Sequence, residues 1–97
     1  MDTYFVLHGI TFVWNRNKAS ANLRKHGIGF ERAAEAFFDP FLRLVDASQD
    51  DEPRDAIIGM DNRWNLLFVV HMELENEAIR IISVRKATLK ERAYYEA

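Results

Sequence analysis

Phe30, Ala33, Ala34, Phe37 and Phe38 recur at i, i+3, i+4, i+7 and i+8, the spacing of one continuous apolar helix face. Nothing else in the chain constrains its fold as much. The stripe stops at Asp39-Pro40, because the residue before a proline is pushed out of helical geometry. Upstream, Thr11 to Trp14 is β-branched and aromatic and suits an opening strand. Asn15 or Asn17 then caps a helix running to about Lys25, with Ala19 and Leu23 on its buried side. Gly27 ends it, since glycine takes up the left-handed conformation that closes a helix.

Downstream, strands are expected at Phe41 to Asp46, Ala56 to Met60, Trp64 to Met72 and Ala78 to Val84. Turn residues at Asp61-Asn62-Arg63 and near Glu75-Asn76-Glu77 make the last three an antiparallel meander, and acidic Ala47 to Asp55 reads as a solvated loop. Thr88-Leu89-Lys90-Glu91 is a capping-box pattern that starts a short helix ending at Tyr95. The expected class is α+β: two N-terminal helices and a C-terminal helix packed on one face of a mainly antiparallel sheet. At 97 residues, without repeats or linkers, the chain reads as a single domain.

The absence of cysteine excludes disulfides, thiolate nucleophiles and cysteine-ligated zinc, and fits a reducing cytoplasm. No unbroken apolar segment is long enough to span a membrane, and the basic leader of a targeting peptide is missing. A soluble, cytoplasmic protein is expected. The net charge of −2 argues weakly against nucleic-acid binding, but its distribution argues otherwise. Trp14 to His26 carries four bases and no acid, and Arg80 to Arg92 carries five bases against Glu91 alone. Between them, Glu31 to Asp55 carries eight acids and three bases, so two basic segments flank an acidic middle.

Several segments together resemble the BrnT toxin family. They are Val13-Trp14-Asn15 with Lys18, Asn22-Leu23-Arg24-Lys25-His26-Gly27, Phe30-Glu31 with Ala33-Ala34, and Phe37-Phe38-Asp39-Pro40. The second half adds Ile58-Gly59, the apolar strand ending near His71, Arg80 through Thr88, Glu91-Arg92 and Tyr95. The likeness runs from about Thr11 to Glu96 and implies that residues 1–10, which exceed the family's usual start, are an N-terminal extension or follow a misassigned upstream start codon. It implies a RelE-like ribonuclease fold, RNA cleavage without a metal or other cofactor, and neutralisation by a BrnA-like antitoxin. That partner carries a ribbon-helix-helix domain, so contact with DNA is indirect, through the antitoxin. Two positions depart from the pattern: Gly29 stands where relatives often have a Ser or Thr helix cap, and Arg32 where a capping-box Glu would be.

RNA cleavage without a metal needs a group to activate the ribose 2′-hydroxyl, cations to stabilise the phosphorane and an acid for the leaving oxygen. Arginine's planar fork matches phosphate oxygens, which makes Arg85 the first choice for transition-state stabilisation. His26 is the best placed histidine for proton transfer, and a helix-end cap is its plainer role. Glu91 either moves a proton or only caps the last helix. Lys18, Lys25, Arg80, Lys86 and Arg92 are candidates to hold phosphates, against the alternative that they are solvated charges. Tyr95, like Tyr94, would stack on a base or touch phosphate, or else pack the last helix; Trp14 and His71 read as core. No glycine-rich phosphate loop, HExxH cluster or GxSxG elbow is present, and Asp50-Asp51-Glu52 reads as a solvated run. The rival reading is a non-catalytic RNA-binding or partner-binding module, a decayed toxin. A neighbouring frame encoding a ribbon-helix-helix protein would favour the toxin.

Overall fold

The computed structural model describes residues 1–48 and 53–97. Strands β1 (Asp2–Leu7) and β2 (Ile10–Asn15) form a hairpin in unbroken antiparallel register, from Leu7 opposite Ile10 to Asp2 opposite Asn15. The segment read as an extension is thus a strand. Its two-residue turn, His8 and Gly9, has positive φ at both positions (49° and 80°), as a hairpin turn that follows the right-handed strand twist requires. Phe5 and Leu7 pack against the core.

Helix α1 (Arg16–His26) is capped by Asn15, whose side chain accepts from the Lys18 amide at 3.0 Å, and it closes at Gly27 with φ 72°. Helix α2 (Phe30–Ala36) is shorter than its apolar stripe: Phe37 and Phe38 fall in the turn that leads to Asp39-Pro40. Gly29 caps α2 without a side-chain bond. Arg32 instead ties α2 to the loop after β4, its Nε and Nη2 donating to Oδ2 of buried Asp61 at 3.1 and 2.9 Å.

Strands β3 (Arg43–Asp46), β4 (Asp55–Met60), β5 (Leu66–Glu73) and β6 (Ile79–Lys86) complete one sheet in the order β1-β2-β6-β5-β4-β3. All neighbours are antiparallel except β2 and β6, which run parallel, so the sheet is mixed. Two strand starts differ from expectation. The Asp39 carboxylate accepts from the Phe41 amide and holds Phe41 in a turn, and Trp64, with φ 66°, stays in a turn around Asp61. Both side chains are exposed. Of the expected acidic loop, residues 49–52 lie outside the described residues; its flanks close through Ala47 N–H to Arg54 O.

The core joins Phe12, Trp14, Ile57, Leu67, Val69, Ile81 and Val84 of one sheet face to Ile28, Phe30, Ala33, Ala34 and Ala36. Gly59 lets α2 come this close, since a Cβ there would lie 2.6 Å from the Ala36 carbonyl oxygen. His71 is buried among these groups, its ring edge-on to Phe37. Helix α3 (Leu89–Glu96) starts at the Thr88–Glu91 capping box, as expected. It does not share the face of the other two helices. Side chains alternate along a strand, and the groove under α3 is lined by Ile58 and Phe68, not by the core residues Ile57, Leu67 and Val69.

Leu23 was expected inside α1 and is half exposed; Asn22 is buried instead. The cause lies in the sheet. β2 pairs with β6 only at Phe12–Ile79 and Val13–Arg80, so the edge of β6 beyond Arg80 lacks a strand partner there. Asn22 supplies one: its Oδ1 accepts from Val84 N–H at 3.1 Å, and its Nδ2 donates to Val84 O at 2.9 Å and Ile28 O at 3.2 Å. A leucine could satisfy none of these buried backbone groups.

Candidate functional site

Arg80 and Arg85 are five residues apart, so in a regular strand they would point to opposite faces. A bulge changes that. Val70 faces Ser83 and His71 faces Ile81, which leaves Ile82 as the extra residue and reverses the alternation between the two arginines. Arg80, Ser83 and Arg85 therefore share the sheet face opposite α1 and α2, across from Met72, Val70 and Phe68.

The Arg85 guanidinium is held on three sides. Nη1 and Nη2 donate to the two Glu91 oxygens at 2.8 and 2.9 Å, Nη1 also donates to Lys86 O at 3.2 Å, and Cζ lies 4.2 Å from the Phe68 ring centroid. The Arg85 hydrogen bond is the main reason the Glu91 carboxyl sits below its ordinary pKa. Glu91 is thus ionised at neutral pH, and its Oε1 also accepts from the Thr88 amide at 2.9 Å. One carboxylate both caps the helix and orients Arg85. Beside Arg85 an open groove of about 440 Å³ has Phe68, Val70 and Ser83 along it and Ser48 and Arg54 at its side. Its polar groups can meet phosphate or sugar, and its apolar floor a base.

Helix α1 brings in the other basic segment. Lys18, Lys25 and His26 stand at i−4, i+3 and i+4 from Asn22, on the helix face that Asn22 ties to Val84, next in sequence to Arg85. All three are exposed. The two basic segments, distant in sequence, thus flank one strand. No hydrogen bond joins His26 to Arg85 or Glu91.

The remaining candidates are placed less centrally. Arg80 is paired with Asp2 at 2.9 Å, Arg92 lies 3.7 Å from Glu96, and Lys86 is exposed at the end of β6. Tyr95 has a structural contact: its hydroxyl donates to Asp39 Oδ2 at 2.6 Å, and that oxygen also accepts from Met60 N–H at 2.8 Å. Burial and the Asp39 carboxylate push the phenol up to about 12. Burial alone would raise the Asp39 carboxyl, but hydrogen bonds from Tyr95, Met60 and Phe41 bring it below its ordinary value. Tyr94 lies under the Arg43 guanidinium, 5.4 Å from its ring centroid. Asn22, Phe68, Ser83 and Arg54 were not singled out from sequence. Of these only Asn22 left a signal, a polar residue one position from the expected apolar face.

Among the described residues no three His, Cys, Asp or Glu side chains converge as a metal site, and no helix is long and apolar enough to cross a membrane. The family model described as "Ribonuclease toxin, BrnT, of type II toxin-antitoxin system" matches residues 14–91. The crystal structure of the Brucella abortus ribonuclease toxin, BrnT, is similar at 26% identity and a TM-score of 0.56, over 77% of this chain and 92% of that one. No curated protein sequence matches. With four-fifths of its length inside the family model, the chain belongs to the BrnT family of ribonuclease toxins of type II toxin-antitoxin systems.

Proposed function

We propose that the chain cleaves RNA without a metal ion, on the sheet face that carries Arg80, Ser83 and Arg85. The observation that carries this reading is the bulge in β6, which puts both arginines on one face, with a groove of apolar floor beside Arg85. RNA lies along this face, its phosphates held by Arg80, Lys86 and Arg92 and, from the α1 side, by Lys18 and Lys25. The 2′-oxygen attacks the adjacent phosphorus and loses its proton, and the 5′-oxygen leaves with a proton, giving a 2′,3′-cyclic phosphate and a 5′-hydroxyl end. Arg85, preset by Glu91 and Phe68, meets the charge that builds on the phosphorane, where a fixed donor costs no reorganisation. His26 is the proton carrier; Glu91, already engaged by two partners, positions Arg85.

Such an activity inhibits growth of the producing cell unless it is neutralised. A BrnA-like antitoxin with a ribbon-helix-helix domain is the proposed partner, covering the Arg85 to Tyr95 region or α1, and the fold is proposed to be RelE-like. The test is cleavage of end-labelled RNA by the purified chain, with and without EDTA, and with the new ends identified. Equal cleavage in EDTA and cyclic phosphate ends are expected. Activity that vanishes in EDTA and returns with Mg²⁺ refutes the mechanism.

A further inference from the structure

Strand β1 lies at the end of the sheet, so its outer side has no strand partner among the described residues. Which backbone groups point outward follows from the turn. The two-residue hairpin loop makes Leu7 and Ile10 the closing hydrogen-bonded pair, and every second pair repeats it. Arg16 N–H donating to Met1 O at 2.9 Å confirms the phase at the other end. The N–H and C=O groups of Thr3, Phe5 and Leu7 therefore face β2, and those of Asp2, Tyr4 and Val6 face outward.

Edge strands are ordinarily protected by lysine, proline, bulges or short length. Strand β1 has no lysine, proline or bulge over its six residues. The opposite edge, β3, is four residues long and carries Arg43 and Asp46. Tyr4 and Val6 also project from β1 into solvent, 69% and 64% exposed. The family match begins at residue 14, so β1 and its turn lie outside it.

We propose that β1 pairs antiparallel with β1 of a second copy of this chain, joining the two sheets across a two-fold axis. The strand is complementary to its own reverse. Directly opposed residues in an antiparallel pair share a face, and the outward groups must meet each other, which leaves few registers. The one that covers the exposed apolar side chains sets Tyr4 against Val6 of the second copy, and Val6 against its Tyr4. It also places Phe5 against Phe5 at the axis, within the strand residues Thr3 to Leu7 of each copy. A slip by one pair would put Val6 against Asp2 in one direction and, in the other, Tyr4 against His8, which lies in the turn and outside the strand. The axis runs perpendicular to the sheet, so the two faces carrying Arg80 and Arg85 lie side by side.

Sedimentation equilibrium of the full chain across a wide concentration range tests this, alongside two variants checked for native circular dichroism. Val6→Pro removes an outward N–H that the hairpin does not use, and Val6→Lys puts a charge into the joint. The expected result is a mass rising from monomer towards twice that value, with dimerisation at least about tenfold weaker in Val6→Lys, which loses the buried valine twice per dimer. A chain that stays monomeric up to millimolar concentration, or a Val6→Lys variant that dimerises as tightly, overturns the proposal even if Val6→Pro fails to fold. So does a monomeric chain whose antitoxin complex is the thing Val6→Lys weakens, because the edge would then belong to the antitoxin.

Discussion

Replacing Asn22 with leucine tests the link between α1 and the arginine strand. The side chains are similar in size, so the change removes polar contacts with little change in volume. Three hydrogen bonds vanish, leaving Val84 N–H, Val84 O and Ile28 O without that partner. At about 1 kcal/mol net for each bond, and more for a donor left buried, the loss is about 3 kcal/mol. A domain of this kind has a total of about 5–15 kcal/mol, so the variant should fold but unfold early. In urea, with a slope of about 1 kcal/mol per molar, the midpoint should fall by about 3 M. Leu23→Ser, one residue away and half exposed, should change stability by no more than about 0.5 kcal/mol. A loss below about 1 kcal/mol for Asn22→Leu would mean that water or a shifted backbone takes over the role assigned to Asn22.

Gly59→Ala should destabilise by about 1–3 kcal/mol in the same assay, because its Cβ would press on the Ala36 carbonyl; a neutral result would show that α2 can shift away. The Asp39 and Glu91 carboxyls are both lowered on folding, so their contribution is present above the unfolded pKa near 4 and is lost as pH falls through the folded values. Asp39→Asn should therefore flatten the acid limb of a stability-against-pH curve, and an unchanged limb would contradict the Tyr95–Asp39 contact. Tyr95 has the opposite sense: with its phenol raised to about 12, its contribution holds below the ordinary value near 10 and is lost as pH climbs through 12. Glu91→Gln should lower kcat more than KM by freeing the Arg85 guanidinium, and a KM-only effect would argue against a positioning role.

The chain's helices were legible because each was set by local chemistry: the α2 stripe, the Asn15 and Thr88 caps, and Gly27. The meander was legible for the same reason. Errors arose where a distant partner decides. Leu23 looked like the buried residue of α1 until the unpaired edge of β6 called for an amide at Asn22. β1 is not announced by the sequence because the resemblance starts only near Thr11 and His8-Gly9 is a less familiar hairpin signal than Asn-Gly, although both of its residues take positive φ. Composition singled out Arg80 and Arg85, but no pattern in the sequence showed that a bulge at Ile82 would turn them to one face. His26 and Lys25 could be placed on a helix, but the seating of that helix along the edge of β6 depends on Asn22.

The central claim is that Arg85 acts from a preset position on the open sheet face. Its most direct test is the single-turnover rate of RNA cleavage by purified wild type and Arg85→Ala, with native circular dichroism confirmed for both. Loss of a fixed transition-state donor predicts a fall of about 100-fold or more, far larger than any change in RNA binding. Cleavage by Arg85→Ala within about threefold of wild type would place the chemistry elsewhere and contradict the account.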